Sequence, residues 1–163
     1  MHEEWRDIES FPGYSVSDAG SVRNDDTGRL MAKSVNQHGI VHVGLTRDKK
    51  QQRRALSLLV AEAFIPRPSF KFDSPINLDG DRLNNRVENL LWRPRWFVSK
   101  YFQQFAQGAP CIVRKIQNVE TEEVFEDSWH AAVTLGGLDR DIAFAVLSGG
   151  AARILLQHFR LLQ

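Results

Sequence analysis

The chain has 163 residues, 42% of them hydrophobic and 25% charged, with a formal net charge of +1, enough for one ordinary domain or two very small ones. A charge so close to zero excludes a uniformly basic nucleic-acid binder, and no apolar run approaches the ~20 residues that span a bilayer. One cysteine, Cys111, excludes an internal disulfide and a cysteine-based zinc site, and reads as a buried structural thiol.

The start, MHEEWRDI, is acidic and polar where a secretory signal is basic and then apolar, so a cytoplasmic location is expected. Residues 1 to 60 are rich in Gly, Asp, Asn and Ser between short apolar segments, the pattern of small strands joined by tight turns. YSVSDAGSVRN sets Asp18-Ala19-Gly20 between two β-prone pieces, and GIVHVGLT alternates around Val41, Val43 and Leu45. In QQRRALSLLVAEAF the period changes: Leu56, Leu59, Val60, Ala63 and Phe64 recur at helical spacing, and Ile65-Pro66-Arg67-Pro68 closes the predicted helix.

From Asp73 to Asp81 a strand and turn are expected, with Asp79-Gly80 a hairpin signal and Asn84 or Asn85 capping a helical turn through Glu88. RWFVSKYFQQF predicts a helix whose rows Phe97, Tyr101, Phe105 and Trp96, Lys100 supply a docking face. FAQGAP marks a boundary. After it, CIVRKIQNVETEEVFED reads as two short strands turning near Glu120-Thr121-Glu122. Ser128 then caps WHAAVTL, Gly136-Gly137 ends that helix, and Asp139 caps RDIAFAVLS before Gly149-Gly150, the outline of a helix-turn-helix.

Charge is segregated along the chain. Residues 51 to 110 hold nine Lys or Arg against five Asp or Glu, whereas the segments on either side are net acidic. A basic patch on a neutral protein engages phosphates through local counterion release; a solvated surface accounts for the same charge equally well. His38, His42, His130 and His158 are scattered, with no ligand spacing, and read as surface or core histidines.

Three stretches in order resemble the phage-type HNH homing endonucleases. EEWRDI with FPGYSVSDAGSVRN is similar to the small nuclease-associated module that precedes many of their HNH domains. LLVAEAFIPRP with INLDGDRLNNRVENLLW is similar to the HNH core, and VETEEVFEDSWHAAVTLGG with IAFAVLSGG to a nuclease-associated helix-turn-helix repeat. The resemblance implies an α+β protein. It would comprise a β-rich module over 1–52, a ββα-metal core over 53–107, and a β-hairpin with helix-turn-helix module over 108–163.

In that family the core strand reads Asn or Asp, then His, a residue, and Asp-Gly-Asp or Asp-Gly-Asn; the His is the general base, and a helix Asn or His helps bind one divalent metal. Here the strand is Asn77-Leu78-Asp79-Gly80-Asp81, with Leu78 read at the place of the base, and the helix position falls near Val98. The resemblance with these replacements implies a chain that is not an enzyme. It would need no metal or other cofactor and would bind double-stranded DNA as a regulator or site blocker in a bacterial host.

The DNA contacts implied are Arg53, Arg54, Arg67, Arg82, Arg86, Arg93, Arg95 and Lys100, with Arg140 from the C-terminal module. A second reading makes the chain a protein-binding module acting on host transcription or replication machinery. A third keeps nuclease activity through relocated groups such as Asp79 or Asp81 with His42. Asp139 and Asp141 stand where a recognition helix would present polar or basic residues to phosphate.

Overall fold

The computed structural model describes residues 2–163, and the chain divides into two compact units, Met1–Arg95 and Trp96–Gln163. The architecture is α+β, as expected. Ile8, Phe11, Val16 and Val22 pack in one buried cluster with Leu56, Leu59, Val60 and Leu90.

In the first unit, β1 (Trp5–Asp7), β2 (Tyr14–Ser17) and β3 (Val22–Asn24) form one antiparallel sheet. A second is built from β4 (Lys33–Val35), β5 (Val41–Arg47) and β6 (Lys50–Ala55). The alternation in β5 buries Val41, Val43 and Leu45 and leaves the residues between them half-exposed. The β5–β6 turn runs through Asp48 and Lys49, both at positive φ (51° and 61°), which the right-handed twist of a tight hairpin demands.

The helix α1 (Leu56–Phe64) follows β6 directly and ends where Ile65 turns extended ahead of Pro66. QQRRA, read as the approach to a helix, is therefore strand: cross-strand pairing with β5, from Arg47↔Lys50 to His42↔Ala55, claims it. A two-stranded hairpin of β7 (Ser74–Asn77) and β8 (Leu90–Arg93) completes the unit.

The second unit opens with α2 (Arg95–Gln104), which buries Phe97 and Tyr101. Its sheet runs β10 (Val124–Phe125), β9 (Ile116–Asn118), β12 (Gln157–Leu161), β11 (Ala151–Ala152). The helices α3 (Ser128–Leu135) and α4 (Asp139–Ser148) are joined through Gly136, whose φ of 67° suits glycine. Both expected caps move by one residue. Asp127 caps α3 through the His130 amide, while Ser128 turns inward, its hydroxyl accepting from Ile112 N. Asp139 is the first residue of α4 rather than its cap, and it is buried.

No helix is long and apolar enough to cross a membrane, as far as the described residues go.

Candidate functional site

The hairpin β7–β8 is closed by residues 78 to 89 rather than by a two-residue turn, and a knot of Asn and Asp side chains fixes that loop. Asp79 stands at its centre. Its carboxylate accepts from Asn84 Nδ2 (2.7 Å), Asn89 Nδ2 (2.9 Å) and the Asp81 amide (2.9 Å). Burial pushes this carboxyl up, but the hydrogen bonds outweigh it and hold the group below its ordinary value.

Asn89 is buried and doubly used, accepting from the Asp79 amide at 3.1 Å while donating to the Asn84 carbonyl at 2.8 Å. Asn77 donates to that same carbonyl at 2.8 Å. Asn85, expected as a helix cap, instead donates to the Arg82 carbonyl within its own turn, and the short 3-10 turn over Val87–Asn89 has no side-chain cap. Gly20, at φ +80°, lets the first sheet approach this loop: a Cβ there would lie 2.9 Å from the Asn85 carbonyl oxygen. Asp18 O accepts from Val87 N at 2.8 Å beside it.

In the family's pattern one residue separates the His from Asp-Gly. Counted back from Asp79, the His place falls on Asn77 rather than Leu78. Asn77 is buried and tied to Asn84 and Asn85, whereas the Leu78 amide donates to Asn89 O in the ladder at the loop's base. Val98 lies half-buried on α2 in the other unit.

A divalent metal is what the fold family would bring to such a hairpin. Both Asp79 oxygens are engaged by amides, Asp81 Oδ1 accepts from Leu83 N, and no three His, Cys, Asp or Glu side chains gather as ligands among the described residues.

The cations fall into distinct settings. Arg53, Arg54, Arg86, Arg95 and Lys100 are exposed, although Arg86 pairs with Glu88 and Arg54 stacks over Phe11, 5.1 Å from the ring centroid. Arg67 covers the Trp92 ring at 4.5 Å and lies 3.6 Å from Glu62. Arg82 is half-buried, and that burial draws its pKa below the ordinary value. Arg93, read as a phosphate contact, is only 8% exposed, its guanidinium donating to the Trp92 carbonyl.

In the second unit Arg140 is exposed beside Asp141, at 3.9 Å. Asp139 is withdrawn from any phosphate surface: its carboxylate accepts from Cys111 N at 2.9 Å, and its own amide donates to Gln104 Oε1. Cys111 is exposed rather than buried, and the adjacent Asp139 carboxylate raises its thiol to about 11.

Residues 3–46 match the NUMOD4 motif. Over 92 residues the chain is 34% identical to the uncharacterized HNH endonuclease L245 of Acanthamoeba polyphaga mimivirus, covering 56% of this chain and 27% of that protein. Over 94 residues it is 35% identical to the uncharacterized HNH endonuclease L247 of the same virus, covering 55% and 23%. The chain thus spans about a quarter of the length of these curated relatives. Among solved structures, the HNH homing endonuclease I-HmuI, described for DNA binding and cleavage, matches with a TM-score of 0.56 over 98% of each chain at 21% identity.

These findings overturn the expectation that the chain is not an enzyme: the relatives are named endonucleases, and the structural counterpart cleaves DNA. That expectation rested on residue types at Leu78 and Val98. Reach and geometry at the phosphate, not identity at an aligned position, decide whether a group can act.

Proposed function

Starting from a chain related in sequence and in fold to the HNH homing endonucleases, we propose that it binds double-stranded DNA. It grips the phosphate backbone with Arg53, Arg54, Arg86 and Arg95 of the first unit and with Lys100 and Arg140 of the second. The carrying observation is the concentration of exposed cations in residues 51 to 110 of a protein whose net charge is only +1. Phosphate contacts of this kind position a protein without reading bases. Occupancy of a DNA site, as a regulator or blocker exerts it, follows from binding alone. Like the HNH endonucleases it is similar to, the chain would act on the DNA it binds as an endonuclease.

A fluorescence-anisotropy titration with random-sequence duplex at two salt concentrations tests this, with magnesium present and the products run on a denaturing gel. Affinity is expected to fall steeply as salt rises, and the gel reads cutting in the same samples. Absence of binding at low salt would overturn the proposal.

One observation favours a protein partner as second reading. Phe144 and Leu147, on the outer side of α4, are 68% and 80% exposed.

A further inference from the structure

Beside the first turn of α4 the second unit holds a cavity of about 120 Å³, bounded by α2, by the segment through Cys111 and by Trp129 of α3. A water takes ~10–15 Å³ on that scale, so the space admits about ten non-hydrogen atoms. One of its walls is Asp139, only 6% exposed. The aim of this side chain is fixed by its neighbours. Its amide donates to Gln104 Oε1 at 3.0 Å, Gln104 Nε2 donates to the Gly137 carbonyl at 3.0 Å, and one carboxylate oxygen, Oδ2, accepts from Cys111 N at 2.9 Å. Among the described residues the other oxygen, Oδ1, is buried and accepts a hydrogen bond from none. A buried carboxylate oxygen without a donor is a cost that native proteins seldom leave standing. The Cys111 thiol adjoins the carboxylate, but a thiol is a weak donor that an amine readily displaces.

The other walls differ in kind. Trp129 is half-buried, edge-on to Phe105 with 5.1 Å between ring centroids, and gives the cavity an aromatic surface. Lys100 and Arg140 also line it and are exposed. Lys100 Nζ rides over the Trp96 ring at 5.3 Å and Arg140 Nε lies 3.9 Å from Asp141, contacts that leave both with N–H groups for an anion. Two exposed cations repel an ammonium or guanidinium, so the donor that suits Oδ1 is a neutral N–H. An aminopurine nucleotide carries all three complements: an exocyclic amine, a flat base of the cavity's size, and a phosphate.

We propose that this cavity binds the base of an aminopurine nucleotide, with the exocyclic amine donating to Asp139 Oδ1, the ring against Trp129, and the phosphate on Lys100 and Arg140. The Cys111 thiol turns aside as the base enters. Two sources supply this chemistry, a free purine mononucleotide and an unpaired purine extruded from bound DNA; the second rests on the DNA-binding reading above.

Cys111 is the one cysteine of the chain and lines the cavity, so the rate at which a thiol reagent labels it reports occupancy. Two ligand pairs are compared by titration. The first is deoxyadenosine monophosphate against purine deoxyriboside monophosphate, which lacks only the amine; the second is a duplex with one unpaired adenine against the same duplex with an unpaired purine. In at least one pair the ligand with the amine is expected to bind about tenfold more tightly or better and to slow labelling of Cys111 several-fold. The pair that responds identifies the source. The double variant K100A/R140A, with melting temperature unchanged, is expected to weaken the nucleotide several-fold and leave deoxyadenosine, which has no phosphate, unaffected.

Equal affinity within both pairs would overturn the pocket, as would discrimination that leaves the labelling rate unchanged, since the base then sits elsewhere. Mononucleotide discrimination by a protein that binds no duplex would keep the pocket and remove the DNA reading. Duplex binding without discrimination would do the reverse.

Discussion

At residue scale the loop over 78 to 89 is held by buried amides whose partners leave little slack. Asn89 bonds the Asp79 amide, the Asp79 carboxylate and the Asn84 carbonyl at once. Asn89→Ala leaves the Asp79 amide without its side-chain acceptor and removes one donor from each of the other two groups, and a loss of about 1–3 kcal/mol is expected in chemical denaturation. Gly20→Ala should also destabilise, since the new methyl meets the Asn85 carbonyl at 2.9 Å in a backbone that L residues avoid; an unchanged melting temperature would contradict that packing.

Asp79 carries a pH signature. Its folded pKa lies below the ordinary 3.8, so the stability it contributes is present above that value and is lost as pH falls through the lower folded one. Asp79→Asn should flatten the acid limb of the melting-temperature profile below about pH 4. An identical limb in both proteins would refute the assignment.

At the scale of elements, the strands and helices with a clear apolar period were legible: β5, α1, α2, α3 and α4 lie where spacing predicts them. The misses have physical causes. KQQRRA has no apolar alternation, and only pairing with β5 makes it strand; likewise Gln157–Leu161 becomes β12 by joining β9. Cap residues shifted by one because Ser128 had a better use bonding Ile112, leaving Asp127 to cap α3. Asp127→Ala should therefore cost about 1 kcal/mol in unfolding free energy, and Ser128→Ala should act through the Ile112 contact instead.

At the scale of the molecule, phosphate affinity depends on how many cations are presented, not on net charge. Replacing Arg53, Arg86 and Arg95 together by Ala is expected to reduce the slope of log affinity against log salt by about 0.9 for each phosphate contact removed. A slope unmoved by the triple variant would take these residues off the binding surface. Arg93→Ala belongs to a different class: it empties a buried position and should lower stability rather than the salt slope.

The sequence by itself determined the α+β class, the periodic elements, the segregation of charge and the similarity to HNH endonucleases, because each is written in local spacing or in short contiguous motifs. Tertiary structure decided what local patterns do not encode. It packed residues 8 to 22 with residues 56 to 90 in one core, turned Arg93 inward and Cys111 outward, withdrew Asp139 from the surface, and left Phe70 exposed. Each of these depends on partners distant in the chain, and burial and hydrogen bonding are settled only when those partners meet.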